Sequence, residues 1–164
     1  MPNKYSYLSL STSDLISEIC PDTQNPSLCL KALRSDPRSA RADLNGLALI
    51  SLGIAETNAI QTKSHLIAKL SKGATSPVLK YRYETHAERY RETIDNLKVA
   101  RTALKSHHIG TFMDRSSAAI DGPATCAYYF EGLPAEPTQL RQGNKKLEDL
   151  CTIIFVIHDR MTSG

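Results

Sequence analysis

The sequence contains no tryptophan, only three phenylalanines, and no apolar run longer than Ile153 to Ile157. A membrane-spanning helix needs about 20 consecutive apolar residues, so a spanning segment is excluded. Neither sign of charge dominates: 20 Lys and Arg face 17 Asp and Glu, leaving a formal charge of +3. That scattered excess is no nucleic-acid footprint. The chain also lacks GxSxG, HExxH, P-loop and GxGxxG patterns, so the common nucleophile, zinc, phosphate and dinucleotide chemistries have no sequence anchor. What is present is ordinary globular composition, 41% apolar and 23% charged over 164 residues, about the size of one domain.

Four cysteines stand at positions 20, 29, 126 and 151, with no CxxC pair and no companion histidine cluster. Cys20 and Cys29 flank Pro21, Asn25 and Pro26. A turn-rich segment between close cysteines fits a small disulfide loop better than a metal site, and a disulfide implies an oxidising compartment. MPNKYSYLSLSTS at the start lacks the apolar core of a secretion signal. Residues 1–12 are expected to be a disordered extension and 13–164 a single domain.

Hydrophobic spacing is helical almost throughout. Two short helices are expected over 13–19 and 27–34, giving a hairpin over 13–36. Asp36-Pro37 has the character of a helix cap followed by proline at the first helical position, predicting one helix from Pro37 to about Ser71. Ser76-Pro77 repeats that start for a helix to about Ser106, with Tyr83, His86, Tyr90, Ile94, Leu97 and Leu104 on one stripe. A third helix is expected over Thr111–Phe130, bent at Gly122-Pro123. The loop EGLPAEP precedes a last helix, where Leu140, Leu147, Leu150, Ile154, Ile157 and Met161 step by 7, 3, 4, 3 and 4. The expected fold is all-α: an up-down-up-down four-helix bundle over 37–161, preceded by a disulfide-linked helical hairpin.

No catalytic residue, metal site or cofactor is expected. No two helices carry the Glu-x-x-His pairs of a di-iron bundle. His107 and His108 fall in a turn, His65 and His158 are isolated, and His86 reads as a buried imidazole holding a hydrogen bond. The polar half of the first long helix, Asn58 to His65, either faces solvent or lines a core site for a small apolar ligand. One surface feature stands out: Glu84, Glu88, Glu92 and Asp95 share a helix face at steps of 4, 4 and 3. Like charges so spaced repel by about 0.2–0.5 kcal/mol per pair. Either Lys80, Arg91 and Lys98 neutralise them locally, or the ridge serves a basic partner surface.

The segments DLISEICPDTQNPSLCLKALRSDPRSA (14–40), LKYRYETHAERY (79–90), SSAAIDGPATC (116–126), FEGLPAEPTQL (130–140) and KKLEDLC (145–151) resemble the plant invertase and pectin methylesterase inhibitor family over about 14–157. The resemblance implies a non-enzymatic, secreted protein of the apoplast or cell wall. It implies a four-helix bundle that binds an enzyme 1:1, covers its substrate cleft, and is a monomer when free, with no nucleic-acid or membrane partner. Invertase inhibitors carry a Pro-Lys-Phe motif near the entry to the third bundle helix. Here that region reads KSHHIGTFMDR (105–115). The implied target is therefore a pectin methylesterase, with an invertase as the alternative. The family contact surface aligns with Glu88, Glu92 and Asp95, and the family hairpin bridge with Cys20 and Cys29. The family's second bridge would join Cys126 to position 86, which is histidine here. The resemblance thus leaves Cys126 and Cys151 as thiols, with a Cys126–Cys151 bridge as the alternative.

Overall fold

Short polar side chains cap several of the described helices, and prolines open some of them. The computed structural model describes residues 15–163; the expected extension over 1–12 lies outside them. Helix α1 (15–19) runs into a 3-10 turn at Cys20–Asp22, and α2 (Pro26–Ser35) follows. Asn25 caps α2: its Oδ1 accepts from the Leu28 N–H at 3.2 Å, and Pro26 holds the first helical position. The Cys20–Cys29 disulfide closes this hairpin across a Cα–Cα distance of 5.4 Å. Two helices this short cannot hold themselves together in water, and polar contacts to the last helix supplement the bridge. Asn25 Nδ2 donates to Asp149 Oδ2 at 3.3 Å, and Arg160 pairs with Asp22.

The first long helix starts later than the sequence predicts. Asp36 and Pro37 do form a cap, with Asp36 Oδ1 accepting from Arg38 N at 2.9 Å, but what they cap is a 3-10 turn, Pro37–Arg41. A second cap, Asp43, accepts from Gly46 N at 2.8 Å and begins α3 (Leu44–Gln61). The helix then passes through a π-helical stretch, Thr62–Ile67, into α4 (Ala68–Lys72). Ser76 Oγ caps α5 (Pro77–Lys105) at the predicted place, accepting from Leu79 N at 3.2 Å.

Helix α6 (Ile109–Cys126) runs through Gly122-Pro123 without interruption and ends in a 3-10 turn, Ala127–Phe130. Pro123 has no N–H, so the Ala119 carbonyl loses its helical donor. A side chain from α5 replaces it: Thr93 Oγ1 donates to Ala119 O at 2.7 Å in the buried interior. Gly122 makes the approach possible, since a Cβ there would lie 2.1 Å from Thr93 Oγ1 and 2.8 Å from Arg89 O. Helix α7 (Thr138–Thr162) closes the bundle.

The helices pair around a square, α3 with α5, α5 with α6, α6 with α7 and α7 with α3. The protein is an all-α, up-down-up-down four-helix bundle preceded by a disulfide-linked hairpin. Leu97, Leu104, Leu140, Leu147 and Ile154 are fully buried at its centre, with Phe112 and Tyr90. Full burial of each such aliphatic side chain is worth about 1.5–3 kcal/mol.

Candidate partner interface

Helix α5 is the natural place to look for a docking surface, because burying one stripe fixes the direction of the other. Tyr83, His86, Tyr90, Ile94 and Leu97 face the core. The residues on the opposite side, Tyr81, Glu84, Glu88, Arg91 and Asp95, therefore point to solvent, and all are exposed. The structure brings Glu88, Glu92 and Asp95 onto one face, as the spacing implies.

It also shows what neutralises them. Arg91 pairs with Glu88 and, at 2.9 Å, with Asp95, while Arg89 holds Glu92 at 2.8 Å. Of the three cations expected to do this, Arg91 does; Lys80 and Lys98 form no ion pair among the described residues. The hydrogen bond from Arg91 draws the Glu88 carboxyl below its usual range. Side chains in the Arg91 pairs are 51–57% exposed, and exposed pairs of this kind are worth only about 0–1 kcal/mol. They can therefore re-pair with an incoming surface at little cost. Glu84 forms no ion pair among the described residues, and Lys80 and Lys98 are exposed at the two ends of the ridge, so the carboxylates cluster along its middle. Tyr81, 65% exposed, lies on the line of Glu88 two turns toward the N-terminus. It is an exposed aromatic side chain beside the acidic residues.

Behind the ridge, His86 is completely buried in a polar knot. Its Nδ1 lies 3.2 Å from Arg82 O, and its Nε2 3.4 Å from Asn144 Nδ2 and 3.7 Å from Glu136 Oε1. A neutral ring that donates from Nδ1 to Arg82 O and accepts at Nε2 from Asn144 Nδ2 satisfies both ring nitrogens, while Glu136 Oε1 is reached through Asn144. Burial lowers the His86 pKa to about 4 and raises that of Glu136. Asn144 completes the knot, donating to Glu136 Oε1 at 2.9 Å and accepting from Tyr90 OH at 2.8 Å. The 131–137 connection is thereby strapped to α5 and α7; Arg82 adds a 2.7 Å hydrogen bond to Pro134 O. Sequence reading placed His86 in the core with one hydrogen bond. It missed Asn144, although the seven-residue gap between Leu140 and Leu147 in the α7 stripe marks where a core-facing residue is not apolar.

Cys126 and Cys151 are buried thiols. Desolvation pushes both pKa values up, that of Cys151 to about 12, so neither is a reactive thiolate at neutral pH. His107 and His108 occupy an exposed turn, with His107 at φ 60°. His65 lies in the π-helical stretch and is exposed. Among the described residues no group of three His, Cys, Asp or Glu side chains is arranged to hold a metal ion.

A family model described as "Plant invertase/pectin methylesterase inhibitor" matches residues 14–157. The chain is 54% identical over 143 residues to a "Pectinesterase inhibitor" of Actinidia deliciosa, covering 87% of this chain and 77% of that protein. It is 32% identical to "Cell wall / vacuolar inhibitor of fructosidase 2" of Arabidopsis thaliana, covering 92% and 85%. A crystal structure of a mutant form of a pectin methylesterase inhibitor from Arabidopsis superposes with a TM-score of 0.77 at 31% identity, covering 88% of this chain and 95% of that one. The chain belongs to the plant invertase/pectin methylesterase inhibitor family.

Proposed function

We propose that this protein inhibits a pectin methylesterase by laying the exposed face of α5 across the enzyme's pectin-binding cleft. The observation that carries the reading is the 54% identity to the Actinidia pectinesterase inhibitor over 87% of the chain. The mechanism is exclusion. An esterase acting on a polymer must admit an extended methylated polygalacturonate chain, and a rigid helical face across the groove keeps it out without chemistry. A standard interface of about 1,600 Å² in total suffices for this. Glu88, Glu92 and Asp95 face the enzyme, steer a basic surface toward them and set the salt dependence of association. Tyr81 supplies buried aromatic area at the end of the ridge. Residues 13–164 act as one inhibitor unit, monomeric when free and 1:1 when bound. The Cys20–Cys29 disulfide supports a secreted protein of the apoplast or cell wall, and no described helix is long and apolar enough to cross a membrane.

The test is to mix the protein with a plant pectin methylesterase and weigh the product by size-exclusion chromatography with light scattering. A 1:1 complex is expected; a mixture that elutes as two free proteins overturns the reading. The same mixture with an acid invertase tests the second reading, which the likeness to the Arabidopsis fructosidase inhibitor supports and the absence of Pro-Lys-Phe in 105–115 opposes.

A further inference from the structure

On the side of the bundle where α2 leans over α3 there is an open trough of about 900 Å³, within the range of about 300–1,000 Å³ typical of small-ligand sites. One wall follows α3 from Gly46 to Gln61, about 22 Å at 1.5 Å per residue. Its floor is aliphatic, with Leu28, Ile50, Ile54 and Leu150. Gly53 borders the open space of the trough, since a Cβ there would meet nothing within 4 Å.

The rim is cationic. Five basic side chains and two carboxylates line the trough, so its excess charge equals the +3 of the whole chain. The carboxylates are already matched, Asp36 by Arg38 at 2.6 Å and Glu56 by Arg101. Lys31, Lys105 and Lys146 have no ion-pair partner among the described residues. A second depression of about 440 Å³ shares Leu28 and Lys146 with the trough and adds Arg141, so the cationic track continues past its end.

Polar side chains on the wall narrow the ligand class. Thr57 and Gln61 line the trough and are exposed, offering a hydroxyl and an amide to a ligand. An ionised fatty acid has a single anionic head and no hydrogen-bond donor, so it would use one cation and leave the rest of the track unmatched. Repeated cations along a track, an apolar floor and polar groups on the wall together describe a ligand with several carboxylates, apolar C–H faces and hydroxyl groups.

We propose that this trough binds a short acidic oligosaccharide of the uronate type, its carboxylates on Lys31, Lys105 and Lys146 and its hydroxyls on Thr57 and Gln61. Such chains share the chemistry of a de-esterified pectin fragment. The site is distinct from the α5 ridge, because Arg101 and Lys105 project from a different side of α5 than Glu88 and Asp95.

The test uses the whole protein and no esterase, so its outcome is independent of the inhibitor reading. Trigalacturonate, its fully methyl-esterified counterpart and decanoate are each titrated, with amide chemical shifts and calorimetry as readouts. Trigalacturonate is expected to give saturable shifts over 46–61, 101–105 and 146–150. Lys105→Glu with Lys146→Glu should weaken it at least tenfold, and Gly53→Leu should abolish it while helix content is retained. If Gly53→Leu fails to fold, the exposed charge reversals decide. The proposal is overturned by the absence of a saturable response, by an equal response to the methyl-esterified chain, by occupancy with decanoate instead, or by charge reversals that leave affinity unchanged.

Discussion

Replacing Thr93 by valine tests how the bundle tolerates a proline inside α6. Valine keeps the shape of threonine and removes only the hydroxyl. In the native chain that hydroxyl donates to Ala119 O at 2.7 Å, the carbonyl that Pro123 leaves without a helical donor. Thr93 is buried, and no water reaches the site to replace the bond. A buried carbonyl left unpaired costs about 1–3 kcal/mol. For a domain of this size that corresponds to a fall in Tm of about 2–12 °C, measurable by calorimetry or by circular dichroism. The control is the same substitution in a Pro123→Ala background. There residue 123 regains an N–H and satisfies Ala119 O itself, so Thr93→Val should cost much less. The coupling expected between neighbours sharing one acceptor is about 0.5–3 kcal/mol. An equal cost in both backgrounds would refute the idea that Thr93 substitutes for the missing donor.

Gly122→Ala should be among the most damaging single substitutions, because its Cβ would overlap Thr93 Oγ1 and Arg89 O; a loss of about 3 kcal/mol or more, of the overpacking kind, should appear as a large drop in midpoint denaturant concentration. His86 makes stability depend on pH. Its folded pKa of about 4 lies below the unfolded 6.5, so its contribution is complete above 6.5 and is lost as pH falls toward 4, by up to about 3 kcal/mol. Burial raises Glu136, which acts with the opposite sign, favouring the fold at low pH and losing that effect as pH rises through its folded pKa. His86→Gln should therefore flatten the profile between pH 6.5 and 4, and an unchanged slope would contradict the assignment. Reducing the Cys20–Cys29 bridge, or replacing both cysteines by serine, should cost about 2–3 kcal/mol in the chain-entropy model and loosen hydrogen-exchange protection of 15–35 first. Glu88→Lys should leave the Tm within a degree or two yet slow association with the target about tenfold at low salt; unchanged association kinetics would remove the ridge from the interface.

The parts of the structure legible in the sequence are those that depend on neighbours along the chain. The α7 stripe, the Ser76-Pro77 start and the Cys20–Cys29 loop were each readable because cap, period and turn are local. Asp36-Pro37 was a genuine cap assigned to the wrong element, because a 3-10 turn and an α-helix begin with the same chemistry. Asp43, three residues ahead of Gly46, was the competing cap. The expectation of a bend at Gly122-Pro123 followed from propensity; what the local pattern could not contain was a donor arriving from Thr93, 26 residues from Ala119. The same limit applied to His86, whose partner Asn144 is 58 residues away. The acidic spacing on α5 was visible, while the engagement of Arg89 and Arg91 required side-chain directions. The basic trough draws its unpaired cations from α2, α5 and α7 and could be assembled only from the folded chain.

The most direct test of the central claim is an activity titration. A plant pectin methylesterase at fixed concentration is given increasing amounts of this protein, and demethylation of polymeric pectin is followed by proton release. The account predicts a linear fall to an end point near one inhibitor per enzyme, shifted to higher concentrations by the combined Glu88→Lys and Asp95→Lys substitution. Full activity in the presence of a large molar excess of the folded protein would contradict it.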